Sequence, residues 1–353
     1  SYPGVKRGQH DRNLWAKNFR NEIIKNPNFP IIKQSVNLEL TNHELPKFFY
    51  DSTPCPYRQK GGSVEAEKLL QSFLNKRGEN YQFEMSSPIT AEKSCSRLST
   101  HLTYGTISHR AVFQEATKKR DQIKHTNKNF AKSINSFLSR LHWRSHFIQK
   151  LEDQPSIEHT SFIPVYDQIR EKDEEKLEAW IEGKTGVHFI DACMIYLRNY
   201  GWINFRMRAM LASFASYNLW LDWRYFAPRL AALFTDFEPG IHYSQIQMQS
   251  GTTGINTIRM YNPYKQAMDQ DPLAKFIKSQ IPEVKNFPPS FFHNPPKKSL
   301  NVNLFDNEVQ KEIINVKETA QYARKKIFDI RKSQEHKILA KNVYLKHGSR
   351  GRS

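Results

Sequence analysis

The chain has 353 residues, 38% of them apolar and 12% aromatic, and carries 53 Lys and Arg against 35 Asp and Glu, a formal net charge of +18. That composition can build a sizeable core and excludes wholesale disorder. The cationic surplus points to a polyanionic partner, nucleic acid ahead of a membrane surface, beside the plainer reading of a merely soluble basic protein. Cys55, Cys95 and Cys193 are odd in number and far apart. They make neither a disulfide framework nor a CxxC metal site, and four thiolates for an iron–sulfur cluster are not available. A reducing compartment and no metal are expected. No apolar run is long enough to span a bilayer and no signal-peptide pattern opens the chain, so a soluble, cytoplasmic protein without a membrane partner is expected.

Residues 1–60 are polar and punctuated by Pro3, Pro27, Pro30, Pro46, Pro54 and Pro56, which predicts connecting and irregular packing segments with a short helix at most. Helix signals begin at Ser63, an N-cap candidate with Glu65 and Glu67 in the first turn, and Leu69, Leu70, Phe73 and Leu74 form an apolar stripe. In KSCSRLSTHLTYGTISHRA (93–111), Ser94, Ser96 and Ser99 crowd around Arg97, and Ser108 is a good N-cap for a helix carrying Val112, Phe113 and Ala116. Hydroxyls, backbone amides and one arginine make a fair phosphate cradle, although capping alone also explains serines before helices.

The spacing predicts a helix over about 129–151, with Phe130, Ile134, Phe137, Leu138, Leu141, Ile148 and Leu151 on one face. Trp143 points away from that face, among His142, Arg144, His146 and Lys150. An aromatic among cations suits base stacking with phosphate neutralisation, or packing against another element. A short amphipathic helix over 174–182 carries Trp180; GKTG (183–186) is no P-loop, because Glu178 stands where the first glycine is needed. Further helices are predicted at about 187–199, 202–221 and 228–234, with Pro228 in a first turn. Pro239-Gly240 and 251–254 read as turns, 288–296 as a proline-rich segment, about 307–332 as a helix, and KHGSRGRS as a basic end, either a solvated tail or a weak nucleic-acid contact. Alternating strands are absent, so the fold class is all-α.

The stretch from Trp180 to Pro263 holds four of the six tryptophans and sets Arg206 and Arg208 between apolar neighbours such as Met207 and Met210. An unpaired buried charge is costly, so an acidic partner is required. Asp236 and Glu238 are candidates, and an anionic or polar cofactor is another.

SRLSTHLTYGTIS, LHWRSHF, AWIEGKTGVHFIDACM, YGWINFRMRAMLASF, LDWR, FTDFEP and RMYNP follow one another in that order. Together they resemble the FAD-binding domain of the DNA photolyase/cryptochrome family over roughly residues 60–285. The family's N-terminal antenna domain is missing; GVKRGQHDRNLWAKNF is similar to the interdomain connection, which suits a fragment or a naturally short member. Three parts are expected: 1–60 as connection, 61–285 as the helical FAD- and DNA-binding domain, and 286–353 as a proline-rich segment, helix and basic tail.

The resemblance implies a light-dependent repair flavoprotein, a monomer acting on UV-damaged DNA by electron transfer from excited reduced FAD. Tyr81 and Cys95, Ser96, Arg97, Leu98 and Ser99 would contact the FAD phosphates and ribityl chain. Arg208 would pair with Asp236 beside the isoalloxazine, with Phe237 and Glu238 at the ring edge and His242 near flavin N5. Trp180 and Trp223 match two members of an electron-transfer chain. Trp143 would stack on a flipped-out dimer, with Arg140, Arg144 and Met248 at the DNA face. Several positions depart from the family pattern. Arg140 replaces a lesion-contacting glutamate, Ile246 the outer tryptophan, Met248 the second cavity aromatic and Phe205 a polar residue. Trp220, Tyr225 or Tyr243 then become alternative exits for the electron. A cryptochrome-like photoreceptor that signals without repair is the competing reading, and a nucleic-acid binder without light chemistry is a third.

Overall fold

The computed structural model describes residues 12–25, 54–294 and 310–347. Among these residues the protein is helical, and its one strand-like pairing is an isolated bridge between Glu171 and Leu221. The first helix, α1 (Arg12–Lys25), lies within the segment expected to be irregular. It buries Trp15, Phe19 and Ile23, spaced four apart on one face, which is the helical repeat. Next come α2 (Ser63–Ser72), running on into a π turn at Phe73–Arg77, α3 (Tyr81–Glu84), α4 (Pro88–Ser94), α5 (Ser99–Thr103) and α6 (His109–Ile123). Gly62, not Ser63, occupies the N-cap of α2, at φ 99°, which favours glycine; Ser63 is already helical. Ser108 caps α6 as its sequence suggests, accepting from the Ala111 amide at 3.5 Å.

The long helix α7 (Lys128–Asp153) is capped by Asn127, whose side chain accepts from the Phe130 amide at 3.0 Å. Its apolar face is buried from Phe130 to Leu141, but beyond that the contact rotates: Phe147 is buried while Ile148 and Leu151 are half-covered. The chain continues through 3-10 turns at Pro155–Glu158 and Pro164–Tyr166. Then follow α8 (Glu174–Glu182), α9 (His188–Tyr200), α10 (Phe205–Ser213) with a π turn at Phe214–Asn218, α11 (Trp223–Ala232) and α12 (Pro239–Ser250).

Two expectations fail in this region. Asp222 caps α11 by accepting from the Arg224 amide at 2.8 Å, so the helix starts at Trp223 and Pro228 lies in its interior, exposed. Pro239-Gly240 opens a helix instead of turning, because proline at a first helical position gives up an amide with no partner there anyway. The remaining helices are α13 (Pro263–Gln270), α14 (Lys275–Gln280), α15 (Pro289–His293), α16 (Val316–Lys332) and α17 (Gln334–His347). α16 begins later than the predicted 307, residues 307–309 lying outside the described set, and α17 adds a helix that the sequence pattern does not predict, leading from the predicted helix into the basic end KHGSRGRS. KHGSRGRS reaches beyond the last described residue.

Three apolar clusters order these elements. The largest is built on α9–α12, with Trp180, Trp223 and Phe226 fully buried. A second joins α1, α2, α6 and α7. The third seats α16 and α17 against Ile163, Tyr166, Tyr217 and Trp220. The face of α12 reaches α7 where Gly240 meets the backbone of Phe147 and Ile148, a contact close enough to exclude any side chain.

Candidate functional site

Arg208 is where the sequence demanded a carboxylate. It donates through Nη2 to both oxygens of Asp236, at 3.0 and 2.8 Å, and through Nε to the Ile203 carbonyl at 2.7 Å. Its guanidinium lies 4.2 Å from the Phe234 ring centroid. Asp236 is almost fully buried while the Arg208 side chain keeps 27% exposure, so the pair is only partly screened by water and salt. Glu238 does not join it. Arg144 of α7 takes Glu238 at 3.1 Å and the Leu102 carbonyl at 3.2 Å, and Arg144 is therefore directed inward, not toward a DNA face. Arg206 is half-buried, and its Nε is enclosed without a hydrogen-bond partner.

The serine-rich segment approaches the same place. Arg97 holds a left-handed backbone, φ 62°, and lays its guanidinium 3.8 Å from the Trp202 ring centroid. Burial works against its charge, which Tyr196, Glu92 and Asp236 support, and its Nη1 is enclosed without an acceptor. Ser96 accepts from the Leu98 amide at 3.4 Å, Leu98 takes the N-cap position of α5 and Ser99 opens that helix. Burial raises the Cys95 thiol to about 12 although Arg97, Arg77 and Arg208 oppose it, so the sulfur is a neutral lining group. The loop is stitched by a residue that sequence reading missed. Arg77 donates to the carbonyls of Cys95 at 2.7 Å, Lys93 at 2.9 Å, Leu69 at 3.1 Å and Ser96 at 3.3 Å. Nothing in its local sequence, the end of a helix, announces that role.

His242 is buried; its Nε2 donates to the Ala227 carbonyl at 3.0 Å, and burial lowers its pKa to about 4, leaving it neutral at pH 7. It packs against Phe237 at 5.4 Å and Tyr243 at 5.2 Å. Tyr243 in turn meets Trp223 at 6.4 Å, and the Trp223 indole donates to Ser161 Oγ at 2.9 Å. Trp180 is fully buried against Phe226 at 5.6 Å. Ile246 is buried and Met248 half-buried, while Trp220 packs edge-on to Tyr322 at 5.3 Å, an aromatic that is itself exposed.

One turn outward lies a different chemistry. Trp143 is 38% exposed and leans on Phe147. The Arg140 guanidinium lies 5.7 Å from the Trp143 ring and 5.9 Å from that of Phe205, itself half-exposed. Tyr81, buried on α3, lies near the same arginine, and burial raises the Tyr81 phenol well above its ordinary value although the Arg140 charge opposes it. Among the described residues no carboxylate forms an ion pair with Arg140. In sequence Phe205 is only a departure from the family pattern; the contact joining it to Arg140, across two helices distant in sequence, is tertiary.

The profile of the FAD binding domain of DNA photolyase matches residues 137–341, more than half of the chain. The chain belongs to the DNA photolyase/cryptochrome family. It is 30% identical over 243 residues to the deoxyribodipyrimidine photo-lyase of Streptomyces griseus, covering 69% of this chain and 50% of that protein. It is 32% identical over 247 residues to Cryptochrome-2 of Arabidopsis thaliana, covering 66% of this chain and 39% of the relative. The chain thus spans about half the length of the first curated relatives it matches. The crystal structure of a Synechocystis cryptochrome shares the fold, with a TM-score of 0.74 at 22% identity, over 88% of this chain and 67% of that one.

FAD is the cofactor of this family domain. The residues present fit it. A diphosphate needs cationic donors with capacity to spare, which the enclosed Nη1 of Arg97 has. A flavin ring needs apolar and aromatic walls with few fixed charges, which Trp202, Phe234, Phe237, neutral His242 and the Arg208–Asp236 pair supply.

Proposed function

We propose that this chain is the flavin- and DNA-binding part of a light-driven repair enzyme that splits pyrimidine dimers in UV-damaged DNA. One observation carries the reading: α7 displays Trp143 outward beside Arg140 and turns the next residue, Arg144, inward to Glu238. A single rigid helix thereby links a surface suited to an extruded base with the buried ionic set.

FAD supplies, when bound, the photoexcited electron that opens the cyclobutane ring. The protein's part is positioning and electrostatics. Tyr81 and residues 95–99 hold the phosphates and ribityl chain, with Arg97 giving its spare donor to an anionic oxygen. The Arg208–Asp236 pair borders the ring as a fixed dipole that needs no reorganisation when charge moves. Phe237, Glu238 and His242 complete the edge, and His242 adds no charge at pH 7. Trp180 and Trp223, with Tyr243 beside Trp223, form the aromatic path for electrons. Trp143 and Met248 receive the flipped base, whose extrusion costs least where stacking is already damaged. Arg140, able only to donate, serves base carbonyls and phosphates.

A second reading is a cryptochrome-like photoreceptor. It is favoured by Arg140, which cannot accept a hydrogen bond from a lesion, and by buried Ile246, which offers no surface aromatic. Affinity for an oligonucleotide before and after UV irradiation separates the two. The repair reading expects tighter binding after irradiation and loss of that preference in Trp143→Ala; equal affinity for both oligonucleotides in the unaltered protein would favour the photoreceptor.

A further inference from the structure

A cleft of about 390 Å³ opens between the loop following α12 and the side of α16. It is formed by other residues than those assigned above to flavin and DNA. Ile258 and Met260 line it with apolar surface, Phe328 stands half-exposed beside them, and Arg324 and Arg331 reach it from α16 two turns apart, with Phe328 on the turn between. Its volume falls in the lower part of the roughly 300–1,000 Å³ range of small-molecule sites.

The charges in the cleft are unmatched. No carboxylate lines it, and among the described residues Arg324 makes no ion pair. Asp329, on the same helix, pairs with Lys332. Arg331 donates through Nη2 to the Asn256 carbonyl at 2.7 Å, which fixes the guanidinium in place, yet its Nε is enclosed and has no acceptor. An oxyanion in the cleft would meet the Arg331 guanidinium where that side chain lines it, and would supply the negative charge that no carboxylate of the lining provides. Arg324 is exposed and can close on the same anion from the solvent side. Phe328 with Ile258 and Met260 then offers a flat apolar surface to a planar group attached to the anion.

We propose that this cleft is a second binding site, for a nucleoside monophosphate: the phosphate on Arg324 and Arg331, the base against Phe328. A free nucleotide and the 5′-phosphorylated end of a strand present the same chemistry. Binding there ties the loop to α16 and so holds the C-terminal helices on the domain.

The test is calorimetric titration of the full chain, loaded with FAD so that the flavin site cannot take the probe. AMP, adenosine, inorganic phosphate, and an oligonucleotide with or without a 5′-phosphate are the probes. AMP binds more tightly than phosphate, and adenosine binds least. Arg324→Ala, at an exposed position that cannot unfold the protein, weakens AMP roughly tenfold, as does Phe328→Ala. A 5′-phosphate that tightens the oligonucleotide in an Arg324-dependent way identifies a strand end as the source; no such effect leaves the free nucleotide. No binding of AMP, or binding untouched by both substitutions, overturns the proposal.

Discussion

At the scale of single residues, two arginines look alike in sequence and differ in partner. Arg208 is committed to Asp236 by two hydrogen bonds, whereas Arg140 lies beside two aromatic rings and, among the described residues, pairs with no carboxylate. Asp236→Asn removes the negative charge but keeps the shape. It is expected to cost on the order of 2–3 kcal/mol, less than breaking a fully buried pair because Arg208 keeps 27% side-chain exposure. Retained flavin after gel filtration and the urea midpoint report the change, and unchanged flavin content would remove this pair from the ring. Trp143→Ala is expected to weaken binding of UV-irradiated DNA by about 10- to 100-fold, the loss of one base stack, with a modest loss of thermal stability since the residue is 38% exposed and otherwise packs on Phe147. A reader of the sequence could find Arg208, Asp236, Glu238 and Trp143, because charge among apolar residues and an off-stripe aromatic are local signals. Arg77 and Phe205 were not legible, since their contacts join residues that only tertiary packing brings together. The partner of Glu238 belongs to the same class: Arg144 is 94 positions away.

At the scale of elements, helices with one apolar face were legible, and those without were not. α7 and α9 show a clear stripe, and their predicted limits differ from the structure by a residue or two. α12 is buried around much of its circumference, from Gly240 and His242 through Ile246 to Gln249, so it has no stripe to read, and its Pro-Gly start mimics a turn. The first sixty residues misled in the opposite way, through composition. Prolines elsewhere in that stretch hid the repeat of Trp15, Phe19 and Ile23. The α7–α12 contact gives a sharp prediction. A Cβ at Gly240 would lie 2.6 Å from Ile148 Cα and 2.9 Å from the Phe147 carbonyl oxygen, and neither backbone can yield cheaply. Gly240→Ala should therefore cost about 1–3 kcal/mol in a urea titration. Gly61→Ala, with nothing within 4 Å, should stay within about 0.5 kcal/mol. Equal effects at the two sites would mean that α12 does not approach α7 so closely.

At the scale of the whole molecule, two bulk properties follow from the same structure. Burial lowers His109, His188 and His242 from the ordinary 6.5 to about 4. The unfolded chain therefore binds more protons than the folded one between those values, and stability falls as pH drops from about 6.5 toward 4. Asp191, raised by burial to about 6 from 3.8, acts oppositely over that range and offsets part of the loss. Urea midpoints at pH 7, 6 and 5 check the sign, and a midpoint that rises on acidification would contradict the burial of these histidines. The surplus of +18 charges predicts DNA affinity that falls steeply and log-linearly with salt, with Arg140→Gln lowering the slope by about one counterion.

The central claim is tested by incubating the reduced, FAD-loaded protein with an oligonucleotide carrying a cyclobutane dimer, in blue light and in the dark. Repaired product is measured by chromatography. Repair is expected in the light alone, and little of it in Trp143→Ala at the same flavin content. Flavin bound and reduced, with the dimer intact after illumination, would contradict it and leave the photoreceptor reading in its place.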